Sequence, residues 1–123
     1  MIIGTGIDIV QIKRMESWVK NKKLLERYFH PQEIDFAFSK GKNASLSLAA
    51  RFAAKEAFGK ALGTGLEALV LKDIMVINNK KGKPEMILTG TAKQAFEKSG
   101  AAKVHISLSH EKENAIAMII LEV

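Results

Sequence analysis

Cysteine is absent from the 123 residues, which excludes a disulfide framework and thiol chemistry. Proline occurs twice, as Pro31 and Pro84, so long segments run without a breaker. Aromatics are scarce: one Trp, one Tyr and six Phe, the last mostly inside helical patterns. That argues against a base-stacking surface for nucleic acid. No apolar run is long enough to span a membrane, and the start, Met-Ile-Ile-Gly-Thr-Gly, lacks the basic residues and length of a signal peptide. The expectation is a cytoplasmic protein with no membrane association. Acids are also in short supply, 13 against 19 Lys and Arg, for a formal net charge of +6. Such a surplus favours anionic partners: nucleic acid, phosphorylated ligands or an acidic protein.

What the chain does have is a small core's worth of apolar residues, 47% by count. The length predicts one domain, 1–123, and an oligomer would help to bury the surplus apolar surface. Positions 43–62 form an alanine-rich run without proline, and strong helix formers predict a buried or half-buried helix there. Glu56 and Lys60 fall one turn apart on it, on a stripe shared with small residues. That spacing suits an ordinary surface ion pair, the commoner outcome, or a metal ion and a phosphate held side by side.

Residues 2–12 are rich in β-branched side chains and predict a strand. Alternation places Ile3, Thr5, Ile7 and Ile9 on one face and Gly4, Gly6, Asp8 and Val10 on the other. An acid in an apolar strand needs a partner, a hydrogen bond or a metal if it is buried, or else it caps a turn at the strand end. The glycines before it suggest that something approaches closely. Segment 13–29 predicts helix, broken near Asn21, and carries a strong excess of Lys and Arg. It is either a solvated face or a dock for an acidic partner. Pro31 starts a short helix through Phe38. Asn43 suits the cap of the long helix, and Gly63-Thr64-Gly65 its end.

Positions 73–77 and 85–88 predict two strands joined by a basic hairpin loop, and a helix from Thr89-Gly90-Thr91 to about Ser99 follows. In 104–110, Val104, Ile106 and Leu108 alternate with His105, Ser107 and Ser109, and a turn leads to a last strand over 115–121. The polar stripe is either the wet side of a sheet or part of a site. The order of elements predicts an α+β fold, an antiparallel sheet with a long central helix.

Together these segments resemble one family in order along nearly the whole chain. Gly6-Ile7-Asp8-Ile9-Val10 with Arg14, then Arg51-Phe52-Ala53-Ala54-Lys55-Glu56-Ala57 with Lys60 and Gly63-Thr64-Gly65, are similar to the first two motifs of the holo-acyl-carrier-protein synthases, the short bacterial 4′-phosphopantetheinyl transferases. Gly82-Lys83-Pro84 and Ser107-Leu108-Ser109-His110 match the later ones. The resemblance implies a 4′-phosphopantetheinyl transferase-like fold and transfer of the phosphopantetheine arm of coenzyme A to a serine of apo acyl carrier protein. Adenosine 3′,5′-bisphosphate would leave, and holo carrier would serve fatty acid biosynthesis. It further implies Mg²⁺ on Asp8 and Glu56, Lys60 on the phosphates, and a homotrimer with interfacial active sites.

Under that resemblance Lys55, Gly65, His105, Ser109 and His110 are candidate coenzyme A contacts; Lys55 could equally be structural, and a histidine could be a neutral turn residue. Glu56 or a water on the metal would accept the serine proton. Arg14, Lys20, Lys23 and Arg27 are the candidates for docking the acidic carrier, with Arg14 foremost. Two other classes compete: a basic nucleic-acid-binding module, which rests on charge alone, and a coenzyme A-binding protein without catalysis.

Overall fold

Strand-forming residues from the two ends of the chain meet. The computed structural model describes residues 1–123, and in it β1 (Ile2–Gln11) pairs antiparallel with β5 (Asn114–Glu122), the last strand. The outer partner of β5 is β4 (Lys103–His110), so the order is β1-β5-β4 with β1 and β4 at opposite edges. β2 (Ile74–Asn78) and β3 (Pro84–Leu88) form a separate hairpin rather than extending one sheet. The fold is α+β, as expected, but its antiparallel strands are divided between two sheets.

Helices fill the interval between β1 and β2: α1 (Arg14–Val19), α2 (Lys22–Tyr28), α3 (Pro31–Ser39) and α4 (Ala44–Leu62). The predicted break at Asn21 is a cap, with its side chain accepting from Leu24 N at 3.2 Å. α3 opens on a reciprocal cap in which His30 Nδ1 accepts from Gln32 N and Glu33 accepts from His30 N, with Pro31 at the first helical position. Asn43 departs from expectation. It closes a 3₁₀ turn, Gly41–Asn43, and its side chain makes no capping bond to α4. α5 (Gly90–Lys98) begins where predicted, but Asp73 caps it across the chain, accepting from Thr91 N at 2.8 Å and Thr91 Oγ1 at 2.7 Å.

α4 is the middle of the molecule. One side lies on β1 and β5, the other meets α1, α3 and β2, and 13 of its 19 residues are buried. That explains a helix that is apolar nearly all round. Leu48, Phe58, Met15, Leu25, Phe29 and Ile119 are fully buried around it. Trp18 stacks on Tyr28 and meets Phe52 edge-on at 5.2 Å, which fixes α1 and α2 to α4.

The two faces of the larger sheet are unlike. On the inner face Gly4 and Gly6 let β1 touch the backbone of α4: a Cβ on Gly6 would stand 1.9 Å from the Ala57 carbonyl oxygen, and one on Gly4 2.1 Å from that of Ala61. On the outer face Ile7, Ile9 and Met118 stand 60%, 59% and 41% exposed.

Candidate functional site

Asp8 follows the two glycines on the inner face of an edge strand. Because Gly4 and Gly6 bring β1 onto α4, the Asp8 carboxylate reaches the last turns of that helix. Lys60 Nζ donates to Asp8 Oδ1 at 3.0 Å and to the Ile7 carbonyl at 3.0 Å. Asp8 is the more sheltered partner, its side chain 18% exposed against 53% for Lys60.

Glu56, one turn before Lys60, completes the group. Its carboxyl holds a proton to higher pH than an ordinary glutamate, first because burial disfavours the charge and second because the Asp8 carboxylate repels it. Lys60 and Arg14 oppose that shift. Arg14 lies on α1 with its guanidinium 5.2 Å from the Phe52 ring and 5.8 Å from that of Trp18. Two carboxylates thus repel one another beside two cations. They gain by taking a cation between them, and no third His, Cys, Asp or Glu joins them. Such a pair suits Mg²⁺, which keeps waters and takes its remaining oxygens from substrate phosphates, and does not suit a closed zinc cage. Asp8 and Glu56 would hold the ion. Lys60 is within reach of a phosphate beside it.

The other candidates separate. Lys55 is a core residue, the structural one of the two readings that the sequence leaves open. Its ammonium is fully buried and donates to Glu33 Oε1 at 2.8 Å, to Leu71 O at 2.9 Å and to Ile74 O. All three N–H donors are used inside the protein, leaving none for a ligand. Gly65 lies where the loop after α4 folds back, donating from its N–H to Gly59 O at 3.0 Å with φ of +70°. Gly59 is packed so tightly there that a Cβ would stand 2.8 Å from the Gly65 carbonyl carbon.

The two histidines point to opposite faces. His105 lies outward with Ser109 and pairs with Glu122 at 2.9 Å, a bond that holds the Glu122 carboxyl below its ordinary range. His110 lies at the end of β4, in register with Ala115 and, through it, Val10 on the inner face. It lines a cleft of about 420 Å³ with Lys42, Asn43, Leu46, Glu111 and Lys112. β1 and β4 are separated by β5, so within one chain the structure does not bring Asp8, Glu56 and Lys60 together with His105, Ser109 or His110.

The sequence alone assigns no role to Arg51. It is 3% exposed and donates to Ser47 Oγ at 3.1 Å and Asn78 Oδ1 at 2.6 Å, with its guanidinium 4.4 Å from the Phe36 ring. Its Nε has no partner. It lines a cleft of about 550 Å³ with Lys40 and Lys80 that shares Asn43 and Leu46 with the His110 cleft. Asn78 is 27 positions away, so no local spacing could signal that bond. Arg14, Lys20, Lys23 and Arg27 are all exposed along α1, its end and α2.

A small α+β domain carrying paired carboxylates and an ammonium on a sheet edge has the equipment of a phosphoryl-transfer enzyme. The chain belongs to the 4′-phosphopantetheinyl transferase superfamily, whose model matches residues 4–119. It is similar to the holo-[acyl-carrier-protein] synthase of Treponema denticola, 56% identical over 122 residues that cover 99% of both chains. Among solved structures it resembles the Bacillus anthracis holo-(acyl-carrier-protein) synthase in complex with coenzyme A (3′,5′-ADP), at 39% identity and TM-score 0.81, covering 99% of this chain and 97% of that one. It also resembles the Helicobacter pylori holo-[acyl-carrier-protein] synthase in complex with coenzyme A, at 36% identity and TM-score 0.82, covering 96% and 99%.

Proposed function

We propose that this chain is a holo-[acyl-carrier-protein] synthase, a single catalytic domain over 1–123 that moves 4′-phosphopantetheine from coenzyme A to a serine of apo acyl carrier protein. The carrying observation is the convergence of Asp8, Glu56 and Lys60 at the edge of β1. The serine Oγ attacks the phosphorus that bears pantetheine, the bond from that phosphorus to the bridging oxygen breaks, and adenosine 3′,5′-bisphosphate departs with the electron pair. Asp8 and Glu56 would hold Mg²⁺, which as a bound ion supplies charge neutralisation at the diphosphate. Lys60 holds a phosphate oxygen and meets the charge that grows on the leaving group. Glu56, with raised proton affinity and no hydrogen bond of its own, takes the serine proton at a carboxylate oxygen.

The adenosine half needs a second anion site. Lys42, His110 and Lys112 suit its 3′-phosphate, and the adjoining Arg51 cleft extends the same basic trough. In an oligomer with interfacial sites, as the resemblance implies, one chain's trough serves the neighbouring chain's carboxylates. The exposed Ile7, Ile9 and Met118 give copies an apolar face to bury, and the resemblance supplies the number three. The acidic carrier docks on Arg14, Lys20, Lys23 and Arg27 beside the carboxylates. No helix is long and apolar enough to cross a membrane, and the cytoplasm, where carrier and coenzyme A meet, is the proposed place of action.

Chromatography of the nucleotide product tests the reaction. With Mg²⁺, coenzyme A and apo carrier, adenosine 3′,5′-bisphosphate should appear, and it should not appear with a carrier whose acceptor serine is replaced by alanine. Release that ignores the serine would mean hydrolysis, not transfer.

A further inference from the structure

The mechanism leaves one buried ion pair without a task. Glu33 and Lys55 are both fully buried, and their groups are completely satisfied. Glu33 accepts from His30 N at 3.0 Å and Val76 N at 3.1 Å as well as from Lys55. Lys55 donates also to the Leu71 and Ile74 carbonyls. Burial pushes the Lys55 ammonium below its ordinary pKa, and the Glu33 charge opposes that. Replacing such a pair by uncharged groups of similar volume is commonly neutral or stabilising, so stability alone does not account for it.

Besides the Arg51–Asn78 bond one turn earlier, Lys55 makes the buried directional contacts at the middle of α4. Toward β1 the helix turns Ala57 and Ala61 onto the bare backbone of Gly6 and Gly4. Small residues on glycines set the distance between two elements, but they offer no ridges and grooves to resist sliding or rolling. One residue of axial slip is about 1.5 Å and one residue of roll about 100°. Either would take Glu56 and Lys60 away from Asp8. Lys55 meets three acceptors fixed on three different segments, α3, the 3₁₀ turn Leu71–Asp73 and β2, and that geometry permits one placement of α4.

We propose that Lys55 is a positioning residue: with Glu33 it fixes the register of α4, and through it the placement of Glu56 and Lys60 opposite Asp8. The kinetic consequence rests on the transferase function proposed above; the structural one does not.

The test compares wild-type protein with Glu33→Gln/Lys55→Met by nitrogen–proton correlation spectra and by steady-state kinetics. Glu33 holds the His30 and Val76 N–H groups on different oxygens, so Gln keeps an acceptor for one of them, and its amide can donate to a freed carbonyl. The double variant should fold, yet amide resonances over 51–60 should broaden or double. Its kcat should fall about tenfold or more, as expected for a reacting group misplaced on the ångström scale. KM for coenzyme A should stay within about twofold, because the loss is in the reacting geometry and not in ground-state binding. A single sharp set of resonances over α4 overturns the proposal whatever the rate does, and an unchanged kcat overturns it too. Should the double variant fail to fold, Glu33→Gln alone decides. It leaves Lys55 on two carbonyls and should show the same spectral and kinetic signature in weaker form, and a wild-type spectrum and kcat in that variant overturn the proposal. If wild-type protein releases no nucleotide, the transferase function fails, while the spectra still decide the role of Lys55.

Discussion

Gly6→Ala perturbs the contact that builds the site. The added Cβ would stand 1.9 Å from Ala57 O and 2.8 Å from Ala61 N. Both are backbone atoms of α4, so no side chain can rotate away. Restoring ordinary contact at about 3.2 Å to Ala57 O requires β1 and α4 to part by roughly 1.3 Å (3.2 minus 1.9), and overpacking of this kind costs about 1–3 kcal/mol or more. For a chain of this size each kcal/mol lowers Tm by about 3–6 °C. The same separation carries Asp8, two residues on, away from Glu56 and Lys60, so the rate should fall about a hundredfold. Thermal unfolding by circular dichroism and transfer kinetics measure the two effects. Gly4→Ala is the comparison. It meets Ala61 O at 2.1 Å, farther along β1 from Asp8, and should lose similar stability with a smaller loss of rate. A Gly6→Ala protein with wild-type Tm and rate would refute the claim that the glycines position Asp8.

Four further outcomes are expected. Glu56→Gln should raise Tm in metal-free buffer at neutral pH. The folded-state pKa of Glu56 lies above its unfolded value, so ionising it costs stability above that value, and the gain should vanish as pH falls below the ordinary glutamate range near about 4.3. Reversing Lys20, Lys23 and Arg27 to Glu should lower kcat/KM for the carrier, chiefly through association, and the difference from wild type should shrink in high salt. His110→Ala should lose the preference for coenzyme A over 3′-dephospho-coenzyme A, seen as a ratio of KM values. Met118→Glu should place charge on the exposed face of the sheet and shift the sedimenting species to monomer.

Much of this was legible in the sequence because it is local. The helix over 44–62 follows from its alanines, the break at Asn21 from its side chain, and the inward glycine face of β1 from strict alternation. The motifs carried Asp8, Glu56 and Lys60 as a set, and the fold brings them together. What stayed hidden depends on pairs far apart in the chain. Nothing near Lys55 announces that Glu33, 22 positions earlier, will meet it in the core. Nothing near Arg51 announces Asn78. The division into two sheets depends on which strand edges β3 and β4 present to each other, and alternation alone is silent on that. His105 and His110 look alike in the sequence as candidate phosphate contacts. Their separation needs the parity of β4: five residues apart, they face opposite sides.

Transfer of phosphopantetheine by this chain is proposed to run through Asp8, Glu56 and Lys60. Mass spectrometry of intact apo carrier after incubation with the protein, coenzyme A and Mg²⁺ tests it most directly. A gain of one phosphopantetheine per carrier is expected, abolished by chelator and by Asp8→Ala or Glu56→Ala in folded protein. A carrier of unchanged mass with wild-type protein, or a full gain with both acids removed, would contradict the proposal.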